Sequence, residues 1–169
     1  MSSYPLIFLI LTLATRLTSV PTDDDPAKVR KEITEQYAAW GKARVGFDTA
    51  TYQRMLTPDF YCQLPDKKLT RQEFIDEISK QKPNVEFKRM DSNILTLTKA
   101  GDGWVAVISE KLEFRVGGDN GATKNYYSFW VTRDGWNHGP DGWKIGSTEA
   151  IGFQVWKDEL PPIPGWNQG

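Results

Sequence analysis

The sequence predicts an α+β fold, in which helices come first and an antiparallel sheet follows. Apolar residues in the first half of the chain recur at intervals of three and four, as in Val29, Ile33 and Tyr37, which is the spacing of one helix face. From Val85 onward, apolar residues alternate with polar ones, which is typical of half-buried strands. Helices followed by a meander of strands indicate the α+β class.

Three helices are predicted, each with its own start signal. Asp25 can cap a helix that has Pro26 at its first position and extends to about Arg44. Asp48 can cap a second, short helix. The third helix follows the sequence TRQE (70–73), whose threonine and glutamate have the spacing of a capping box.

The strands are predicted from composition and from the turn signals between them. The segment 59–68 can form one short strand and a turn. Four longer runs are rich in β-branched and aromatic residues: 85–98, 104–116, 123–133 and 143–156. The intervening segments KAGDG, GGDNGA and DGWNHGPDG carry the glycine and aspartate that hairpin turns require.

Composition and charge exclude several classes of partner and cofactor. The chain has 169 residues, of which 39% are hydrophobic and 25% charged, and a formal net charge of -1, so we expect one globular domain and neither a nucleic-acid partner nor an anionic membrane partner. Cys62 and His138 are the only residues of their types, and His138 lies in an expected loop. The sequence therefore supports no disulfide, no metal site and no cofactor.

The chain is expected to have three parts. Residues 1–20 contain the apolar run YPLIFLILTLA and resemble a secretory signal peptide, so we expect a secreted or periplasmic protein without membrane contact after cleavage. An uncleaved membrane anchor is the alternative. A single domain is expected over 21–158, followed by a proline-rich tail over 159–169.

The order of helix, short helix, strand, helix and antiparallel meander resembles the nuclear transport factor 2-like superfamily. The stretches that carry the resemblance are YAAWGKARVGFDTATYQRMLTPDFYCQLPDKKLTRQEFIDEI (37–78) and YYSFWVTRDG…DGWKIGSTEA (126–150). They are similar to the SnoaL-like and ketosteroid-isomerase-like members, including the domain-of-unknown-function group related to the association domain of calmodulin-dependent kinase.

This resemblance implies a cone-shaped, curved antiparallel sheet wrapped around the N-terminal helices, with an apolar cavity that binds or converts small molecules, and often a homodimer formed through the outer sheet face. It places the family's general base at Leu64 and its hydrogen-bond-donating tyrosine at Trp40. Leucine cannot accept a proton. Asp66 would substitute for the base only if the turn were shifted.

One acid lies on the apolar side of its strand. Trp104, Ala106, Ile108 and Leu112 share a parity that also contains Glu110, so the strand directs this carboxyl towards the cone. Burial among apolar residues would raise its pKa.

The same parity argument assembles a larger site. Glu149 lies among the apolar residues of 143–156, and Arg89 among those of 85–98. The resulting hypothesis has Glu110 and Glu149 as catalytic residues and four ligand-binding residues: Tyr37, Trp40, Arg89 and Tyr127.

Each of these residues can instead have a purely structural role. The two glutamates can instead form ion pairs with Arg89 or lie beneath a dimer partner, and a β-bulge would turn them to solvent. Tyr37, Trp40 and Tyr61 can be core aromatics.

Three functions are compatible with the sequence. The first is a binding module for a small apolar molecule with a polar end. The second is a cofactor-independent isomerase, cyclase, dehydratase or hydrolase that uses Glu110 or Glu149 as general acid or base. The third is a dimeric assembly module, in which Val105 and Val107 on the outer face would be buried between subunits.

Overall fold

The computed structural model describes residues 25–117, 123–159 and 161. The expected signal peptide, the expected turn at 118–122 and nearly all of the expected proline-rich tail lie outside these residues. The elements are α1 (Pro26–Gly46), α2 (Thr49–Met55), β1 (Leu56–Gln63), β2 (Lys68–Thr70), α3 (Arg71–Gln81), β3 (Val85–Ala100), β4 (Gly103–Gly117), β5 (Thr123–Gly139) and β6 (Gly142–Lys157). The α+β class is confirmed.

The three helices begin at the expected capping residues. The Asp25 carboxylate accepts a hydrogen bond from the backbone N–H of Ala27, with Pro26 at the start of α1. Asp48 caps α2, and Thr70 begins α3 with a complete capping box. These side chains satisfy N–H groups that have no partner within the helix.

The six strands form one curved, open sheet in the order β2-β1-β6-β5-β4-β3. The long strands β3 to β6 form the expected antiparallel meander. The sheet is mixed rather than wholly antiparallel, because β1 pairs parallel with β6. The α3 helix and several strands intervene between them, which is ample chain for the crossover that a parallel pair requires.

The main departure from the expected strands is at the end of β5. The segment DGWNHGPDG was expected to form a loop, but β5 continues through His138 to Gly139, and only Pro140 and Asp141 form the turn. His138 pairs across the sheet with Trp143 and contacts its ring edge to face. The buried face of β5 continues at Trp136, so the strand extends beyond the predicted start of the turn.

The core lies between α1 and the concave face of the sheet. The α1 helix packs mainly against β3, and a Cβ atom at Gly41 would lie 3.0 Å from the Met90 carbonyl oxygen, so the two backbones are close. Val29, Ile33 and Ile108 are fully buried here. None of the helices in the described part of the chain is long and apolar enough to cross a membrane.

Candidate functional site

A cavity of about 430 Å³ lies between the helices and the concave face of the sheet. Its wall is mainly apolar and aromatic, and the aromatic residues that line it are Trp40, Tyr52, Phe74, Phe87, Phe114 and Trp130. Four charged residues also line it: Arg44, Lys67, Glu77 and Glu110. A mainly apolar cavity with a few polar groups has the composition of a small-molecule site.

Glu110 lies in this cavity, on the parity of β4 that the sequence indicates. Its neighbours Ile108 and Leu112 on the same face are buried. Across the sheet, Ser92 of β3 and Trp130 of β5 are its partners in register. The hydroxyl of Ser92 donates a hydrogen bond to Glu110 Oε1 at 3.4 Å. The regular alternation of β4 is therefore what directs this carboxyl inward.

The environment of Glu110 disfavours its charged form. Burial, and then the charge of Asp134, raise the pKa of Glu110 to about 8 against the opposing effect of the Arg44 charge and of hydrogen bonds from Ser92 and Trp40. A carboxyl with this pKa is mostly protonated at neutral pH and can both donate and accept a hydrogen bond.

Glu149 does not line the cavity, which corrects the interpretation of its strand. Two bulges in β6, at Gly146 and Ile151, reverse the parity of the residues between them. Thr148 and Ala150 consequently line the cavity. Glu149 lies on the outer face, where Arg133 Nη1 donates to its Oε2 at 2.7 Å. Its side chain is 46% exposed, so Glu149 belongs to a surface ion pair.

Arg89 is also placed on the outer face. An extra residue in β3 at Lys88 shifts the register between Phe87 and Arg89, so Phe87 and Met90 line the cavity and Arg89 does not. Arg89 forms an exposed ion pair with Asp91. The structure therefore does not place Arg89 where the predicted ligand-binding site requires it.

Tyr127 is the third residue that the structure places away from the cavity. Its strand neighbour Ser128 lines the cavity, as does Trp130. Tyr127 lies on the other face of β5, opposite Glu113 and Trp156. The sequence indicated strand β5 but not which of its two parities faces the helices.

The two aromatic residues predicted on α1 lie at different depths. Trp40 lines the cavity, where it stacks on Phe74. Tyr37 is buried beneath the cavity and does not line it. Its hydroxyl donates to Asp134 Oδ2 at 2.7 Å and accepts from the Trp136 indole N–H at 3.0 Å.

Asp134 is a buried acid that the sequence does not single out, because TRDGW (132–136) is predicted to contain the end of a strand and the start of a turn. Burial raises the pKa of Asp134 to about 6, against the opposing hydrogen bond from Tyr37. Thr132 and Thr148 also lower this pKa, although Asp134 Oδ1 has no hydrogen bond of normal geometry. The alternation of Thr132, Asp134 and Trp136 on one parity was the available signal.

The positions taken from the family resemblance lie as follows. Leu64, where the resemblance puts the general base, lines the cavity. Asp66 is exposed and does not line it. Among the described residues no group of three or more His, Cys, Asp or Glu side chains could hold a metal ion.

Several solved structures share the fold at low sequence identity. A conserved protein from Planctomyces limnophilus has a TM-score of 0.59 and 14% identity, covering 73% of this chain and 94% of its own. An NTF2-like protein from Cytophaga hutchinsonii has a TM-score of 0.52 and 12% identity, covering 75% and 97%.

An NTF2-like protein of unknown function from Prochlorococcus has a TM-score of 0.56 and 14% identity, covering 74% of this chain and 93% of its own. No protein-family model matches the chain, and no curated protein sequence matches it significantly. The structural likenesses show that this chain has the nuclear transport factor 2-like fold.

Proposed function

We propose that this protein binds a small, largely apolar molecule in the cone cavity, with Glu110 holding its polar end. The observation that carries the proposal is a mainly apolar cavity of about 430 Å³ in which Glu110 faces the aromatic wall. Trp40 and Trp130 offer flat apolar surfaces to a ligand, and one carboxyl can fix its orientation.

The test is binding of N-phenylnaphthylamine, a neutral fluorescent dye, to the purified domain. Ala150→Phe would fill part of the cavity, because Ala150 lines it. Ile151→Phe is the matched control, because the Ile151 side chain does not line the cavity and is 47% exposed. We expect saturable dye binding that is weakened at least about tenfold by Ala150→Phe and unchanged by Ile151→Phe. Equal binding by both variants would contradict the cavity site.

Proton transfer by Glu110 is a second candidate, favoured by its raised pKa of about 8. A general acid or base works best with a pKa near the working pH, and the buried Tyr52 hydroxyl lines the same cavity without a hydrogen bond of normal geometry. For any reaction found, Glu110→Gln should remove turnover while Glu149→Gln retains it. Full turnover in Glu110→Gln would exclude this chemistry.

We also propose that the protein is exported and forms a homodimer. Export rests on the apolar run in residues 1–20, and the mature mass should correspond to a chain starting near Val20 or Pro21. The homodimer would form through the outer sheet face that includes Val105 and Val107. Sedimentation analysis tests it, and a strictly monomeric mature protein would contradict it.

A further inference from the structure

Arg44 brings a positive charge into the cavity without a carboxylate partner. It lies in the last turn of α1 and lines the cavity. Its Nη2 donates to the neutral side chain of Gln81 at 2.9 Å, and its guanidinium carbon lies 4.5 Å from the centre of the Phe87 ring. Within the described ranges, no Asp or Glu oxygen forms an ion pair with it.

The Arg44 charge persists despite its surroundings. Burial lowers the pKa of Arg44, against smaller opposing electrostatic effects of Tyr52 and Glu110 and a hydrogen bond with Tyr52. The guanidinium stays protonated in proteins because its ordinary pKa is far above neutrality. A desolvated cation with only neutral hydrogen-bond and ring partners can still pair with an anion, and such a pair is stronger in a dry site than in water.

Other donors lie at the same part of the cavity. The Tyr52 hydroxyl is buried without a hydrogen bond of normal geometry, and the Arg44 charge acts on it to lower its pKa against the larger effect of burial. Glu110 interacts electrostatically with both groups and is mostly protonated at neutral pH. Its carboxyl can then donate as well.

Among the other ionisable groups, Asp134 is mostly ionised at neutral pH because its pKa is about 6, but it accepts a hydrogen bond from Tyr37 and does not line the cavity. Glu77 lines the cavity but is 43% exposed and pairs with Lys80, and Lys67 is an exposed cation at its wall. The charges that act on the pKa of Glu110 are those of Asp134 of β5 and Arg44 of α1. Glu110 in turn acts on the pKa values of Tyr37, Tyr52 and Cys62. Cys62 and both tyrosines have raised pKa values and are neutral near pH 7.

We propose that the polar end of the ligand is an anion, the carboxylate of a largely apolar acid, which pairs with Arg44 and accepts hydrogen bonds from Tyr52 and protonated Glu110. This inference rests on the proposed function of the cavity and deepens it. The guanidinium matches the planar carboxylate geometrically and can donate two parallel hydrogen bonds. An amine would instead meet an uncompensated positive charge, and a neutral amide would gain only ordinary hydrogen bonds.

The experiment compares three competitors of one chain length, decanoate, decanamide and decylamine, in displacing N-phenylnaphthylamine at neutral pH. We expect decanoate to displace the dye at a concentration at least about tenfold lower than decanamide, and decylamine to be the weakest. If the dye binds but decanoate is no better than decanamide, the anion inference is overturned while the cavity function stands. If the dye does not bind, the cavity function itself fails.

Variants of Arg44 separate its charge from its shape. Arg44→Met should remove the preference for decanoate over decanamide, and Arg44→Lys should retain part of it because the charge remains. Arg133→Met is the matched control, because Arg133 pairs with Glu149 on the outer face. If Arg44→Met does not fold, Arg44→Lys and Tyr52→Phe still test the inference. An unchanged preference in all folded Arg44 and Tyr52 variants would overturn it.

A pH titration supplies an independent readout. Above about pH 8, ionised Glu110 should repel decanoate, so decanoate affinity should fall several-fold between about pH 7 and about pH 9, while decanamide affinity changes little. Glu110→Gln should abolish this fall, and Glu149→Gln should retain it. A decanoate affinity that is constant over this range in the unmodified protein would contradict the role of Glu110 in holding the anion.

Discussion

Glu110 and Glu149 lie on opposite faces of one sheet, although each shares the apolar parity of its own strand in the sequence. Glu110 lines the cavity, whereas Glu149 forms an outer ion pair with Arg133. The difference arises because β4 keeps its alternation through Glu110, while β6 has bulges at Gly146 and Ile151 on both sides of Glu149. A bulge adds one residue to a strand and exchanges the faces of those that follow.

Glu110→Gln should flatten the pH dependence of stability. The pKa of Glu110 is about 8 in the folded protein against an ordinary value of 4.5, so between these values the folded chain keeps a proton that the unfolded chain releases. The free energy of unfolding therefore falls as pH rises from about 4.5 to about 8. Thermal unfolding from about pH 5 to about pH 9 should show the Glu110→Gln variant gaining stability relative to the unmodified protein.

Glu149→Gln is the control for this experiment, because it makes the same chemical change on the exposed face. Asp134 contributes a slope of the same sign up to its pKa of about 6, and it remains in both variants. Parallel profiles for the unmodified protein and Glu110→Gln would show that Glu110 is not held in its protonated form by the fold.

Tyr37→Phe should destabilise the protein, and more so above about pH 6. The Tyr37 hydroxyl bonds Asp134 Oδ2 and accepts from the Trp136 indole, so its loss leaves two buried groups unpaired, at a cost of about 1–3 kcal/mol. Its hydrogen bond also lowers the pKa of Asp134. This hydrogen bond stabilises the ionised form of Asp134, which is populated above the folded pKa. The free energy of unfolding lost in Tyr37→Phe is therefore larger above about pH 6.

Denaturant unfolding at about pH 5 and about pH 8 measures both effects of Tyr37→Phe. Tyr61→Phe is the matched control, because the Tyr61 side chain is 39% exposed. Equal stability of the two variants at both pH values would contradict the buried network.

Gly103→Ala should cost more stability than the same change elsewhere in the sheet. A Cβ atom at Gly103 would collide with the backbone carbonyl oxygen of Trp136, which cannot rotate away. Overpacking of this kind costs about 1–3 kcal/mol. At Gly152 nothing lies within 4 Å of the position that an added Cβ atom would take, so Gly152→Ala should be nearly neutral in chemical denaturation. The reverse order of the two variants would contradict this packing.

The sequence predicted the elements of this fold well and the site only in part. The caps at Asp25, Asp48 and Thr70 are local signals that adjacent residues decide, so the helix starts were predictable. The parallel pairing of β1 with β6 depends on contacts between distant segments and has no local signal. The β-bulges also have no local signal, because the alternation of apolar and polar residues within one strand does not show where an extra residue is inserted.

The same difference between regular and bulged strands separates the predicted residues that line the cavity from those that do not. Glu110 lies on the face that the alternation of β4 predicts, because its strand is regular across that region. Arg89 and Glu149 were misplaced by bulges at Lys88 in β3 and at Gly146 and Ile151 in β6. Arg44 was not singled out, because a basic residue in the last turn of a helix ordinarily interacts with the helix dipole at the surface.

Cys62 should react very slowly with iodoacetamide in the folded protein. Burial raises the pKa of the Cys62 thiol to about 12, with the charges of Asp134 and Glu110 acting in the same direction. Because only the thiolate reacts, alkylation at about pH 8 should be roughly a thousandfold slower than that of a free thiol. Denaturation in urea should restore the ordinary rate of alkylation. Mass spectrometry measures the alkylated fraction of the native and of the denatured protein over time. Since Cys62 lines the cavity, fast alkylation of the native protein would show that the environment around this wall is far more polar than the structure indicates.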